Sequence, residues 1–188
     1  MSKGGLLRAL DRLDRRLFLV ANRGLGPRAD TFFTGVTELG SIWASAGATV
    51  ALATRGRRRE ALDAMAAALA MWGIGQLAKK AVRRPRPYEA LPGRRLLVRE
   101  PNGTSWPSSH PAVLLTFVTV AARNLGSPRA VAGGARALAW TVGASRVYVG
   151  VHYPGDVLGG MLLGRAVAKL WSRLVSPRAV GPAGTVTR

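Results

Sequence analysis

Long apolar stretches dominate the middle of the chain. Two of them approach the roughly 20 residues that a membrane-spanning helix needs: residues 32–53 carry only Glu38, residues 61–78 carry only Asp63, and a basic cluster follows each. Three shorter or more polar stretches, residues 111–122, 130–146 and 157–174, also predict helices. The pattern therefore predicts an all-α membrane bundle. The alternative is a soluble Ala-rich helical bundle, which a mean hydropathy of only +0.12 leaves open.

The N-terminal segment has a different pattern, because its leucines lie on one side of a helix and its charges on the other. Leu6, Leu10, Leu13 and Leu17 recur at helical spacing. This predicts an amphipathic helix, which either lies on a membrane surface or packs against the bundle; amphipathicity alone does not decide between the two. No cleavable signal peptide is expected, since charged residues interrupt the place of its apolar core. The Gly- and Pro-containing residues 22–30 predict a turn.

The charge is strongly positive. Lys and Arg number 28 against 9 Asp and Glu, for a net charge of +19, which points to phosphate, nucleic acid or an anionic membrane surface as a partner. The basic residues are spread over loops at both ends of the predicted helices and no aromatic platform accompanies them, so no nucleic-acid partner is expected. The chain has no Cys and only two His, so thiolate metal sites are excluded and no zinc site is expected.

The two histidines and the end of the second apolar stretch define three clusters with candidate chemistry. In the first, Lys79 and Arg86 leave the second apolar helix. They could clamp a phosphate, the Arg through two parallel hydrogen bonds and the Lys as a point charge. The alternative is a lipid-headgroup contact or a topology signal.

The second cluster, Ser108, Ser109 and His110, precedes the third predicted membrane helix. Hydroxyls and backbone N–H groups at a helix start suit an anion, and the adjacent His suits proton transfer to a departing oxygen. The alternative is an N-cap serine beside an incidental histidine.

The third cluster contains Arg146, His152 and Asp156. Asp156 follows His152 by four residues, close enough to hold one ring nitrogen and leave the other free to attack. Asp156 could also be the N-cap of the helix predicted from residue 157, and the two roles are compatible.

Together the clusters resemble the three-part signature of the type 2 phosphatidic acid phosphatase family of membrane lipid phosphatases. The matching motifs are Lys79-x6-Arg86-Pro87, Pro107-Ser108-Ser109-His110 and Ser145-Arg146-x5-His152-x3-Asp156. One position departs from the family, because Ser109 stands where glycine is usual. Serine keeps the backbone N–H but adds a Cβ, so we expect an effect on substrate fit and none on the class of reaction.

The resemblance implies a mechanism and a set of roles. His152 would attack phosphorus to form a phosphohistidine, His110 would protonate the leaving oxygen, and Asp156 would orient His152. The phosphate oxygens would be held by Lys79, Arg86, Ser108, Ser109 and Arg146. The mechanism needs no metal and no other cofactor.

The resemblance also implies a fold and an organisation. We expect a polytopic bundle of five to six helices, with an N-terminal helix and turn in residues 1–30, a catalytic membrane domain in residues 31–175 and a flexible tail in residues 176–188. With five crossing helices, residues 79–110 and 147–156 emerge on the same side of the membrane, so the three motifs would converge. Loop charges do not fix the orientation; most bacterial members of the family imply an extracytoplasmic site.

The expected partners are the lipid bilayer and a lipid phosphate or diphosphate: a polyprenyl diphosphate, phosphatidate or phosphatidylglycerophosphate. The sequence leaves the oligomeric state open. Two other functions remain as alternatives. The vanadate-dependent haloperoxidases are similar in the same motifs but are much larger and soluble, and a non-catalytic basic membrane protein would not need motifs so nearly complete.

Overall fold

The computed structural model describes residues 3–91 and 93–175, and this part of the chain is all-α, as expected. It contains eight helices, of which α5 is a single turn. Their bounds are α1 Lys3–Ala21, α2 Pro27–Glu38, α3 Ile42–Ala53, α4 Arg58–Val82, α5 Pro87–Ala90, α6 Ser109–Asn124, α7 Arg129–Tyr148 and α8 Pro154–Leu174. The helices predicted around residues 61–78, 111–122, 130–146 and 157–174 are confirmed as α4, α6, α7 and α8. The predicted tail, residues 176–188, lies outside the described residues.

The first apolar stretch is not one helix, which corrects the prediction of a continuous helix over residues 32–53. It is divided into α2 and α3. Ser41 is extended, with φ −69° and ψ 154°, and its side chain accepts a hydrogen bond from the backbone N–H of Ala44, so it caps a new helix. Gly40 packs so closely that a Cβ there would lie 2.6 Å from Val142 and 2.8 Å from the Cβ of His110. Hydropathy did not detect the break, because the flanking residues on both sides are apolar.

The predicted turn over residues 22–30 is shorter than expected. Pro27 occupies the first turn of α2, where its fixed φ and missing N–H suit a helix start, and residues 27–30 are therefore helical. Asp30 accepts hydrogen bonds from the Tyr148 hydroxyl at 2.6 Å and from Arg95 at 2.5 Å. The start of α2 is thus attached to the end of α7.

Helix α6 lies at the centre of the bundle and packs against α3, α4, α7 and α8. The largest buried cluster joins small residues of α4 to α6: it includes Ala64, Ala67, Ala68, Met71, Ala112, Val113, Phe117 and Val120. Small residues also bring α6 and α8 together, since a Cβ on Gly164 would lie 2.6 Å from the carbonyl oxygen of Ala112. Thr116 joins the same two helices by donating to the carbonyl oxygens of Ala112 at 2.8 Å and Gly164 at 3.1 Å. Close helix contact through small residues is typical of membrane bundles.

Helix α1 lies across the end of the bundle that carries the ends of α4 and α7 and the start of α8. Asp14 accepts from the backbone N–H of Gly155 at 2.7 Å, Phe18 packs edge-on against Tyr153, and Asn22 donates to the carbonyl oxygen of Tyr148 at 2.9 Å. These contacts span about two turns, from Asp14 to the residue that follows α1, and all reach the same end of the bundle. The predicted leucine stripe, Leu6, Leu10, Leu13 and Leu17, faces outward and is about half exposed. The prediction that α1 packs against the bundle is therefore confirmed, because the side of α1 opposite the leucines makes these contacts. Contact of the exposed leucine stripe with a membrane surface stays a prediction.

Large apolar side chains are exposed on the outside of α3, α4, α7 and α8; they include Trp43, Val50, Leu62, Leu77, Val131, Trp140, Leu158, Leu162 and Leu170. By length and hydropathy, the segment Arg58–Ala90 is the one candidate membrane span in the described part of the chain, and the apolar helix Ile42–Ala53 is shorter. A single such helix is weak support for a membrane location. The extent of the apolar outer surface is the stronger observation, because soluble monomers rarely expose so much.

Candidate active site

The three sequence clusters converge on one pocket of about 350 Å³. The end of α4 and the loop after it, the start of α6, the end of α7 and the loop before α8 each contribute to its wall. Six of the eight predicted site residues line the pocket: Lys79, Arg86, Ser109, His110, Arg146 and His152. The other two, Ser108 and Asp156, are fully buried directly behind it. No Asp or Glu is present among the described residues of the lining, so the electrostatic character of the pocket is positive.

His152 lies in the short loop between α7 and α8 and is almost entirely buried, with 2% of its surface exposed. The loop reverses at Gly150, whose φ is +95°, and the backbone N–H of His152 then donates to the carbonyl oxygen of Arg146 at 3.2 Å. The His152 Nε2 is 3.5 Å from the Arg86 Nη1, and the Nδ1 is 3.6 Å from the Asp156 Oδ2, slightly longer than a hydrogen bond. The ring therefore presents Nε2 to the cations and Nδ1 to the carboxylate.

Burial lowers the pKa of His152 to about 3; the carboxylate of Asp156 opposes this shift, and the charges of Arg146 and Arg86 add to it. The ring is therefore neutral at physiological pH. A neutral imidazole retains a lone pair on one nitrogen, as a nucleophile requires.

Asp156 is fixed by hydrogen bonds to both of its oxygens. Its Oδ2 accepts from the backbone N–H of Tyr153 at 2.8 Å and from the hydroxyl of Ser105, and its Oδ1 accepts from the Arg84 Nη1 at 2.7 Å. The helix begins at Pro154 with Tyr153 as its N-cap, so Asp156 is not the N-cap considered above; it is the third helical residue and closes a capping box. Both oxygens have partners, so the carboxylate cannot rotate freely.

Arg84 is the residue that links Asp156 to the N-terminal helix. Its Nη2 lies 2.7 Å from Asp14 and 3.2 Å from Asp11, and its guanidinium lies 4.1 Å above the ring of Tyr153. Sequence reasoning missed Arg84, because its partners are 70 or more residues away in either direction along the chain. Its position two residues before Arg86 was the only local signal, and in so basic a segment that signal is not specific.

The pocket cations are held in different ways. Arg86 donates to the carbonyl oxygens of Gly103 at 2.8 Å, Val151 at 3.1 Å and Asn102 at 3.2 Å, so the backbone fixes its plane. Arg146 donates from Nη1 to the hydroxyl of Thr37 at 2.8 Å, and its buried Nε has no hydrogen-bond partner in the described part of the chain. A buried donor without a partner is costly, and an oxyanion in the pocket is a group that would satisfy it.

The structure shows how Ser109 is accommodated. Ser109 is the first residue of α6 and has a negative φ, so glycine is not required by the backbone at this position. Its side chain faces Gly75 of α4, where an added Cβ would lie 3.1 Å from the Ser109 Oγ. The hydroxyls of Ser108 and Ser109 are buried and have no hydrogen-bond partner among residues 3–91 and 93–175.

One wall of the pocket was not predicted from sequence. The break between α2 and α3 contributes Gly40, Ser41, Ile42 and Trp43, and α4 contributes Trp72 and Gln76. Trp43 is 81% exposed and Trp72 is 46% exposed, so this side of the pocket opens to the outside through an apolar rim. The Gly40-Ser41 pair inside an apolar stretch was the available signal.

A metal site would need several ligands close together. Within the described residues, no group of three or more His, Cys, Asp or Glu side chains is arranged to hold a metal ion. The polar groups that face the pocket are cations, imidazoles, hydroxyls and amides, which suit an anion.

Comparison with known proteins agrees with this geometry. The sequence profile described as the PAP2 superfamily matches residues 60–179. The chain is 36% identical over 120 residues to a decaprenylphosphoryl-5-phosphoribose phosphatase of Mycobacterium tuberculosis, which covers 64% of both proteins. It is 32% identical over 97 residues to an undecaprenyl-diphosphatase of Sulfolobus acidocaldarius, which covers 52% of this chain and 46% of the relative. The alignments thus span less than two thirds of each relative's length.

Two solved structures have the same fold. LpxE of Aquifex aeolicus superposes with a TM-score of 0.74 and 26% identity, over 84% of this chain and 93% of LpxE. A transmembrane PAP2-type phosphatidylglycerolphosphate phosphatase of Bacillus subtilis superposes with a TM-score of 0.72 over 88% of this chain and 85% of that protein; at 24% identity it supports the fold alone. The matched region contains all three motifs and every residue that we assign to phosphate chemistry, and the chain belongs to the PAP2 superfamily.

Proposed function

We propose that this protein is a multi-pass membrane phosphatase that hydrolyses a lipid phosphate or diphosphate through a phosphohistidine on His152. The observation that carries the proposal is the pocket itself, in which two imidazoles and three cations face one space of about 350 Å³ without a carboxylate in its described lining. Such a site suits phosphoryl transfer, where catalysis depends mainly on positioning and on stabilising negative charge.

The reaction has two steps. The neutral Nε2 of His152 attacks phosphorus, the bond between phosphorus and the lipid oxygen breaks, and His110 donates its proton to that oxygen. Positive charge develops on the His152 ring as the phosphohistidine forms, and Asp156, 3.6 Å from Nδ1, stabilises it. Water then attacks the phosphohistidine, with His110 accepting a proton, and inorganic phosphate leaves.

The phosphate oxygens are held by Lys79, Arg86 and Arg146 together with the buried hydroxyl of Ser109, all of which line the pocket. Arg86 is the most rigid of these groups, because three backbone carbonyl oxygens hold its guanidinium. Ser108 stands behind the lining, and its backbone N–H donates to the carbonyl oxygen of Asp156 at 3.0 Å. Its proposed contribution is therefore to fix the start of α6 beside Asp156.

The apolar rim indicates how a lipid is bound. Trp43 and Trp72 stand where the pocket opens between α3 and α4, so the phosphate can enter the pocket while the hydrocarbon tail remains against the tryptophans and the bilayer. Two of the relatives are named as a decaprenylphosphoryl-5-phosphoribose phosphatase and an undecaprenyl-diphosphatase, which makes a polyprenyl-linked phosphate or diphosphate the first substrate class to test. Phosphatidate and phosphatidylglycerophosphate are the next substrates to test. Replacing both tryptophans with alanine should raise KM for a long-chain substrate and leave KM for a short-chain phosphate unchanged.

We also propose that α4, α6, α7 and α8 cross the bilayer, with the pocket at the extracytoplasmic face and α1 at the interface. The chain has no cysteine, so single cysteines can report the orientation. Cysteine at Arg99, in the exposed loop near the pocket, should react with a membrane-impermeant maleimide added to intact cells. Cysteine at Arg57, between α3 and α4 at the other end of the bundle, should react only after permeabilisation. The reverse pattern would place the site in the cytoplasm.

The decisive experiment measures phosphate release by the detergent-purified protein in EDTA. The substrates are a polyprenyl diphosphate, a polyprenyl-linked sugar phosphate, phosphatidate and phosphatidylglycerophosphate, and the comparison variant is His152→Ala. Release that persists in EDTA and disappears in the variant supports the histidine mechanism and ranks the substrates. No release from any of these lipids would favour a non-catalytic phosphate-binding protein.

A further inference from the structure

A second concave surface lies apart from the catalytic pocket, on helices α6, α7 and α8. It is a groove of about 760 Å³ between α6, α7 and α8, and none of its lining residues belongs to the catalytic pocket. Its walls are mainly apolar, and Trp140, Leu158 and Leu162 are at least half exposed along it. We call this surface the α6–α8 groove.

Three cations line the same groove: Arg136 from α7, and Arg165 and Lys169 from α8. All three are exposed, and in the described part of the chain none has an ion pair or hydrogen bond to a carboxylate. The groove therefore combines an apolar wall with an uncompensated positive cluster.

The depth of the cations makes them unusual. Helix α8 begins at Pro154 beside the catalytic pocket, and with a rise of 1.5 Å per residue Arg165 lies about 16 Å and Lys169 about 22 Å further along it. Arg136 lies about 18 Å from the pocket end of α7, measured from Tyr148 in the same way. Because the hydrocarbon core of a bilayer is about 30 Å thick, at least part of this cationic cluster lies at the depth of the lipid chains and not at the headgroups. Charged side chains at such depths are costly when they face lipid and usually have a partner.

We propose that the α6–α8 groove binds an anionic phospholipid of the leaflet opposite the catalytic pocket. Its phosphodiester headgroup pairs with Arg136, Arg165 and Lys169, and one acyl chain lies along Trp140, Leu158 and Leu162. Charge complementarity selects this occupant, because a zwitterionic lipid presents a cation beside its phosphate and an apolar protein partner would leave three charges buried without partners. The inference rests on the membrane topology proposed above and does not depend on the phosphatase activity.

Trp140 allows the site to be tested directly. The full-length protein is reconstituted in vesicles of phosphatidylcholine that contain a small fraction of dibrominated lipid, either phosphatidylglycerol or phosphatidylcholine, since bromine quenches tryptophan fluorescence only on contact. The contribution of Trp140 is obtained as the difference between the wild type and Trp140→Phe. We expect brominated phosphatidylglycerol to quench this contribution at a concentration at least about fivefold lower than brominated phosphatidylcholine, a ratio that corresponds to about 1 kcal/mol.

The charge of the groove is tested with two matched double variants. Arg165→Gln with Lys169→Gln should bring the preference for phosphatidylglycerol close to unity. Arg123→Gln with Arg129→Gln removes the same charge from exposed positions at the α6–α7 connection, outside the groove, and should leave the preference unchanged. Circular dichroism and phosphate release from a short-chain substrate confirm that both variants are folded.

Each outcome has a definite meaning. Equal quenching by the two brominated lipids in the wild type would show a lipid-facing surface without the proposed site. Quenching by neither lipid would overturn the site together with the topology of α7, and cross-linking between copies through this surface would then identify a second chain as the occupant. Loss of the preference in the Arg123/Arg129 control would overturn the site in favour of a general attraction between a basic protein and an anionic membrane.

Discussion

Replacing Asp156 with Asn should lower kcat by about three orders of magnitude. The substitution removes the negative charge that faces the His152 Nδ1 and keeps the size of the side chain. The two groups are 3.6 Å apart, and at an effective dielectric constant of about 20 two unit charges at that distance attract by about 4.6 kcal/mol. If that attraction is fully developed when the ring is positively charged in the transition state, its loss slows the first step by roughly 10³-fold.

The assay is single-turnover phosphate release by detergent-purified protein, followed together with acid-labile labelling of histidine. In Asp156→Asn, formation of the phosphohistidine should become rate-limiting, so the labelled enzyme should not accumulate. Both oxygens of the Asp156 carboxylate accept hydrogen bonds, one from Arg84 and the other from Tyr153 and Ser105. The amide of asparagine has only one acceptor oxygen, so the substitution also removes at least one of these bonds. Thermal unfolding of the variant must therefore be measured as well.

The matched control is Asp63→Asn, which removes a carboxylate from α4 where it accepts from Asn124 at 2.7 Å and Trp171 at 2.9 Å. This residue does not line the pocket, so the variant should lose stability without losing kcat in the folded fraction. A folded Asp156→Asn protein whose kcat falls less than tenfold would refute the argument, since the charge of Asp156 would then not act on the reacting ring.

Three further predictions concern the parts that support the site. Arg84→Gln should lower kcat by up to about 100-fold with little change in KM for a short-chain phosphate, because Asp156, and through it His152, would lose its fixed position. Arg84→Lys should recover part of the loss. Equal activity in the wild type and both variants would show that Arg84 does not position Asp156. Gly40→Ala should destabilise the protein by about 1–3 kcal/mol in chemical denaturation, because its Cβ would lie 2.6 Å from a neighbouring side chain, whereas Gly47→Ala in α3 has open space and should be neutral or stabilising. The His152 ring should remain neutral at pH 5 in ¹⁵N NMR of a single-histidine His110→Asn protein, because its folded-state pKa is lowered to about 3. The stability that depends on a neutral His152 ring is complete above pH 6.5 and declines as the pH falls towards the folded-state pKa. A titration midpoint of His152 near 6.5 in the folded protein would contradict this prediction.

The sequence by itself determined the helices and the three clusters of candidate chemistry. Apolar runs of helical length predicted α4, α6, α7 and α8, because the period and length of a hydrophobic run are local properties. The spacing of His152 and Asp156 was also informative, since four residues across a tight turn keep two side chains close in almost any fold. The all-α bundle and the membership of the family follow from such local patterns.

Only the tertiary structure decided which distant residues complete the site. Thr37 meets Arg146 across 109 positions of sequence, and Arg84 meets Asp156 across 72. Pairs of this kind depend on which faces of which helices pack together, and a single sequence carries no local signal for that. The break between α2 and α3 combines both kinds of cause: the Ser41 cap is a local feature, whereas the close approach of Val142 and His110 to Gly40 depends on how distant helices pack.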